Sequence, residues 1–221
     1  MTKPNESAAG VPEPVPVRVA CVGASVTFGR GLPNRRQDCY PAGLQRLLEA
    51  AGHAVRVRNF GYSGATASRS GNEPYWETPS FLSATRFEPH VTVIMLGTND
   101  AQFANAAARS TTGRDLADLV EHFRGLVEPP ADVLLTQCPP AFPPVPEIDF
   151  DALQSVVRPA IAAAAEAIDA PLVDLLTPLA DRGDAFPDGL HPTAEIARRI
   201  AEIMAETLAP VLTGLRNVTL S

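Results

Sequence analysis

The 221 residues carry 25 acidic against 18 basic side chains, a net charge of −7, and 45% of them are hydrophobic. That is enough apolar material for one α/β domain with a substantial core, and the acidic balance argues against a nucleic-acid partner, which requires a basic face. The cysteines, Cys21, Cys39 and Cys138, cannot all pair and none sits at a metal-ligand spacing, so no metal site is expected and a reducing cytoplasm fits best.

In chain order, residues 1–15 are polar, rich in Pro, Glu and Ala, and lack the apolar run of a signal peptide. They read as a disordered tail preceding a single domain at 16–221. "VRVACVG" (17–23) is the first strand, and "YPAGLQRLLEAAGH" (40–53) a helix with Leu44, Leu47 and Leu48 on one face and Gly52 as its C-cap. Further strands are expected at 55–61, 90–97, 131–138 and 171–176. Between them lie helices at about 79–87, 112–127, 149–168 and 193–212. Strands separated by helices of this length imply βαβ crossovers, a mostly parallel five-stranded sheet and helices on both faces. No stretch is long and apolar enough for a membrane span, so no membrane partner is expected.

In such sheets ligands sit at the carboxyl ends of the strands. The polar clusters all fall on that edge: "GASVTFG" after the first strand, "NFGYSG" after the second, "LGTNDA" after the third and "FPDGLHPT" after the fifth. In this order and spacing the four blocks resemble the SGNH (GDSL-type) hydrolases over about 17–210. The resemblance implies a three-layer, flavodoxin-like, doubly wound sheet of strand order 2-1-3-4-5 and an esterase with no cofactor. It aligns Ser25 with the family nucleophile, Gly61 and Asn99 with the second and third blocks, and Asp188 and His191 with the last. The family usually has Asp before the nucleophile, whereas this chain has Ala24.

The residues can be weighed without that resemblance. A serine hydroxyl needs a base to become a nucleophile, and only histidine has an unperturbed pKa near neutrality, about 6.5. His53 and His90 lie at amino ends of strands and His122 within a helix, whereas His191 lies at the carboxyl edge with Asp188 three residues earlier to hold its Nδ1–H. With the implied strand order, the backbone N–H groups of Ser25 and Gly61 and the Asn99 amide would form an oxyanion hole. Each residue also has a plainer reading. Ser25 can cap a helix or cradle a phosphate, Asn99 can close an Asx-turn, Gly61 can be a strand-end turn, and Asp188 and His191 can precede a helix N-cap. Asp100 reads as a solvated or helix-start carboxylate.

For substrate, the loop at 62–79 carries Tyr62, Arg69, Tyr75 and Trp76, side chains suited either to stacking on a sugar at the rim or to anchoring the loop. The proline-rich segment at 138–150 would form a second wall. A small soluble acyl ester, such as an O-acetylated sugar, is the expected substrate, and the oligomeric state is open. An acyltransferase or acyl-thioesterase would use the same residues; a flavodoxin-like cofactor binder would have no need of Asp188 and His191, and a non-catalytic relative is raised only by Ala24.

Overall fold

The computed structural model describes residues 15–219, so the tail expected at 1–15 lies, but for Val15, outside the described residues. Five parallel strands form one sheet of order β2-β1-β3-β4-β5. They are β1 (Val17–Gly23), β2 (Val55–Gly61), β3 (Val91–Met95), β4 (Asp132–Thr136) and β5 (Leu172–Val173). The central strands β1 and β3 are near-continuous runs of branched apolar residues because both faces of a parallel sheet are covered by helices. Alternation along β1 assigns the faces. Val19 and Cys21 join Val91, Val93 and Leu134 in one core, and Ala20 and Val22 join Ile94, Val133 and Leu135 in the other.

The longer helices are α3 (Tyr40–Ala50), α4 (Pro79–Phe87), α5 (Thr112–Arg124), α7 (Arg158–Ala167) and α8 (Ala194–Thr219). The core of Val19 and Cys21 is closed by α3 and α8, that of Ala20 and Val22 by α4, α5 and α7. On α8, Ile196, Ile200, Met204, Leu208 and Leu212 recur every fourth residue and are all buried, the stripe that fixes this helix against α3 and the sheet. Burying each such side chain stabilises the fold by about 1.5–3 kcal/mol. Local chemistry sets the helix starts. Thr78 Oγ1 accepts the Phe81 N–H at 3.1 Å with Pro79 in the first turn of α4, and Asp149 Oδ1 accepts the Ala152 N–H at 3.0 Å.

The strands expected at 17–23 and 55–61 and the helix expected at 79–87 have the anticipated bounds. The helix expected at 149–168 is three pieces in continuity: α6 (Phe150–Ala152), a π-helical turn at Leu153–Val157, and α7. The strand expected at 171–176 shrinks to two residues. Asp174 Oδ1 accepts the N–H groups of Leu176 and Thr177 at 2.8 and 2.9 Å, and this turn competes with strand pairing at the edge of the sheet. Two one-turn helices, α1 (Ser25–Phe28) and α2 (Arg35–Asp38), were not expected. Four residues are too few to show a helical period.

Candidate active site

β1 ends at Gly23, and the chain turns at once into α1, lifting Ser25 above the carboxyl edge of the sheet. The carbonyl of Ala24 accepts the Phe28 N–H at 2.9 Å, and that of Ser25 accepts the Gly29 and Arg30 N–H groups, both at 2.9 Å. The turn thus holds itself and leaves the Ser25 hydroxyl free to point elsewhere.

It points at His191. The Ser25 Oγ to His191 Nε2 distance is 2.9 Å, and His191 Nδ1 lies 2.6 Å from Asp188 Oδ2. A ring nitrogen facing a carboxylate must carry the proton, so Nδ1–H donates to Asp188 and Nε2 presents its lone pair to the serine hydroxyl. The short spacing in "DGLH" builds this locally. Asp188 Oδ1 accepts the Leu190 and His191 backbone N–H groups at 3.0 and 2.8 Å, which aims Oδ2 at the ring. Partial burial pushes the Asp188 carboxyl up, but the bonds from the His191 ring and from the His191 and Leu190 amides outweigh it and hold the group at about 2. Asp188 is therefore ionised at neutral pH, although its side chain is 58% exposed.

Asn99 is buried below the same opening. Its amide makes no Asx-turn. Nδ2 donates to the Ala65 carbonyl at 2.9 Å, while Oδ1 accepts from Gln102 Nε2 at 3.0 Å. The orientation is thereby fixed, with one Nδ2 hydrogen left over.

Gly61 does not take the expected place. Its N–H donates to Asn59 Oδ1 at 2.8 Å, and a Cβ there would lie 2.2 Å from the Phe28 backbone nitrogen. Gly61 is required for the close approach of α1 to β2, not for access to a ligand. The glycine that lines the Ser25 cavity is Gly64, at φ +94°, a backbone conformation that side chains rarely adopt. Among the described residues, neither the Gly64 nor the Ser25 N–H donates a hydrogen bond to another protein group. The signal in "NFGYSGAT" was the second glycine rather than the first.

Asp100 is also placed differently. It is fully buried, with Oδ2 accepting the Ala67 N–H at 2.9 Å and Oδ1 accepting the Ser68 N–H and the Thr112 hydroxyl at 2.8 and 3.0 Å. Burial raises its carboxyl to about 6 against the pull of these donors. The residue staples the loop after β2, which bears Gly64, to the turn after β3, which bears Asn99.

Two of the remaining histidines have structural partners. His90 Nδ1 accepts the Arg18 N–H at 3.0 Å, and His122 sits 2.9 Å from Thr85 Oγ1. Trp76 lies with His122, its ring 5.2 Å from Phe81 and capped by the Arg69 guanidinium at 3.4 Å. Neither Trp76 nor Tyr62 lines the Ser25 cavity, so the rim role anticipated for them gives way to loop anchoring. Tyr75 is buried, its hydroxyl donating to the Phe60 carbonyl at 2.8 Å. The cavity of about 420 Å³ is walled instead by Pro139, Pro140, Pro144, Val145 and Pro146, with Arg30 and Glu147 as charged groups among its lining residues. The Phe142 N–H ties this wall to the Gly189 carbonyl at 2.8 Å, joining it to the loop of His191. Among the described residues no group of three His, Cys, Asp or Glu side chains could hold a metal ion, and no helix is long and apolar enough to cross a membrane.

The model of the GDSL-like lipase/acylhydrolase family matches residues 21–199. An acetylxylan esterase of Xylanibacter ruminicola is 32% identical over 209 residues, covering 87% of this chain and 43% of that protein, so the chain spans less than half the length of this curated relative. Among solved structures, a lipase/acylhydrolase from Enterococcus faecalis superposes with a TM-score of 0.70 at 20% identity, covering 87% of this chain and 95% of that one. Est24, a carbohydrate acetylesterase from Sinorhizobium meliloti, gives 0.62 at 20% identity, covering 88% and 99%. At these identities the structural likeness establishes the fold.

Proposed function

The chain belongs to the GDSL-like lipase/acylhydrolase family, and from that premise we propose that it is a serine esterase that removes a short acyl group from a small soluble or carbohydrate alcohol. The observation that carries this reading is the unbroken line from Ser25 Oγ through His191 to Asp188, at 2.9 and 2.6 Å. Ser25 Oγ attacks the ester carbonyl while His191 Nε2 takes its proton, and Asp188 stabilises the imidazolium and its tautomer. Negative charge develops on the carbonyl oxygen, where the Ser25 N–H, the Gly64 N–H and the remaining Asn99 Nδ2 hydrogen are the donors. Collapse of the tetrahedral intermediate breaks the bond to the alcohol oxygen, which leaves with the proton from His191, and the acyl group stays on Ser25. Water, deprotonated by His191, then releases the acid and restores the hydroxyl.

Ala24 in place of the family's usual Asp leaves these contacts intact, since the Ala24 backbone, not its side chain, holds the turn through the Met95 and Phe28 bonds. A stiff wall and a cavity of about 420 Å³ suit a compact ester such as an acetylated sugar, in keeping with the names carried by the relatives.

The test is labelling by a fluorophosphonate, mapped by mass spectrometry, alongside hydrolysis of 4-nitrophenyl acetate. One label on Ser25 is expected, with both label and turnover abolished in Ser25→Ala. Retained labelling of folded Ser25→Ala would overturn the assignment. Appearance of an acylated product when an alcohol or amine is added would convert the reading to acyl transfer on the same residues.

A further inference from the structure

We propose that the protein has a second ligand site, for a small polyanion, in the cavity bounded by α2, α3 and the open edge of β2. This cavity of about 420 Å³ is separate from that of Ser25 and is lined by Arg35, Arg36 and Arg46 together with Gln45, Val57 and Asn59. No carboxylate lines it, and none of the three arginines forms an ion pair among the described residues.

Two of the guanidinium groups are already oriented. Arg35 lies 4.0 Å over the Phe28 ring and donates to the Phe28 carbonyl at 3.3 Å, and Arg46 donates to the Gln37 carbonyl at 3.0 Å. Each is held by its Nη1 and keeps further N–H donors for a ligand, while Arg36 makes no hydrogen bond to the described residues. Guanidinium forks match the paired oxygens of carboxylate and phosphate, and orienting them in advance lowers the entropy lost on binding.

The stretch of chain that supplies the cavity is basic: residues 15–60 carry seven arginines against only Asp38 and Glu49, and three of those arginines line it. Three cations lining one cavity, none of them ion-paired among the described residues, repel one another, and an anion bound between them relieves that repulsion. The volume fits a molecule the size of a sugar phosphate or a tricarboxylate.

The floor of this cavity is connected to the nucleophile segment. Asn59, which lines it, donates through Nδ2 to the Thr27 carbonyl at 2.6 Å and accepts the Gly61 N–H at 2.8 Å. Occupancy therefore acts on the contact between α1, which begins with Ser25, and the end of β2.

The experiment is thermal unfolding and calorimetric titration of the full chain with citrate, inorganic phosphate and glucose 6-phosphate, each against sodium chloride at equal ionic strength. Saturable binding with a rise in Tm of about 5–10 °C at a hundredfold excess over Kd is expected for at least one anion. Arg35→Gln/Arg36→Gln/Arg46→Gln should abolish it, while the control Arg86→Gln/Arg198→Gln retains it. Preference for citrate or for the phosphates identifies a polycarboxylate or a phosphorylated ligand. Should the triple variant not fold, Arg36→Glu, at an exposed residue without protein partners, should weaken binding at least tenfold. A shift no larger than that of sodium chloride, or binding unchanged in these variants, overturns the proposal whether or not the protein is an esterase.

Discussion

Replacing Asn99 by Ala separates the chemical role of its amide from its structural one, because the two predict losses in different observables. If the free Nδ2 hydrogen stabilises the oxyanion, kcat on 4-nitrophenyl acetate should fall by about 10²–10³, or roughly 3–4 kcal/mol, with little change in KM, since the bond strengthens in the transition state. The same substitution removes the bond to the Ala65 carbonyl at 2.9 Å and the bond accepted from Gln102 at 3.0 Å. At about 1 kcal/mol each these cost some 2 kcal/mol of stability, or about 4–8 °C in Tm for a chain of this length. Initial rates should therefore be taken well below the variant's transition, at a folded fraction matched by circular dichroism. Thr112→Val supplies the comparison. It removes the hydroxyl bond to buried Asp100 at 3.0 Å, away from the cavity, and should lower Tm while leaving kcat within about twofold. Wild-type kcat in Asn99→Ala, at matched folded fraction, would refute the oxyanion role and leave Ser25 and Gly64 as the donors.

Gly61→Ala should lower Tm and kcat together, because its Cβ meets the Phe28 nitrogen at 2.2 Å and must displace α1; a variant with wild-type Tm would contradict that packing. Trp76→Ala, stripping the aromatic cluster under Arg69, should cost about 2–4 kcal/mol in urea unfolding with kcat nearly unchanged, and a large rise in KM at preserved stability would restore the rim role. The Asp100 carboxyl is raised from 3.8 to about 6 on folding, so the stability it contributes is full below about pH 4 and is lost as pH rises through about 6, a swing of about 3 kcal/mol. Asp100→Asn should flatten this part of the stability–pH curve while lowering stability overall, since its NH₂ would face an N–H donor; an unaltered curve would assign the titration elsewhere. Asp188, held at about 2, acts in the opposite sense: its contribution is present above about pH 4 and fades as pH falls toward 2, a range that urea unfolding of Asp188→Asn alongside wild type would isolate.

The parallel sheet was legible along the chain. A central strand such as 91–95 must be a near-continuous apolar run, an edge strand such as 55–61 alternates with period two, and the helices between them must carry a stripe toward the sheet, so one dimension suffices to read them. The pairing of Asp188 with His191 was legible too, because three residues of separation allow one turn to place a carboxylate on both the backbone and the ring of its neighbour. Contacts between distant segments were a different matter. Which glycine of "NFGYSG" faces the cavity depends on α1 pressing on Gly61, a contact 33 residues away in sequence. Asp100 resembles a surface carboxylate until the loop at 67–68 and Thr112 are seen to enclose it. Trp76 is drawn from the rim by Phe81, His122 and Arg69. Arg35, Arg36 and Arg46 form one cavity only because α2 and α3 fold back on the β2 edge, and a net charge averages over such local fields. Periodicity and short turns are properties of neighbours along the chain, whereas desolvation, steric approach and electrostatic field are properties of neighbours in space, and those were decided by the tertiary structure alone.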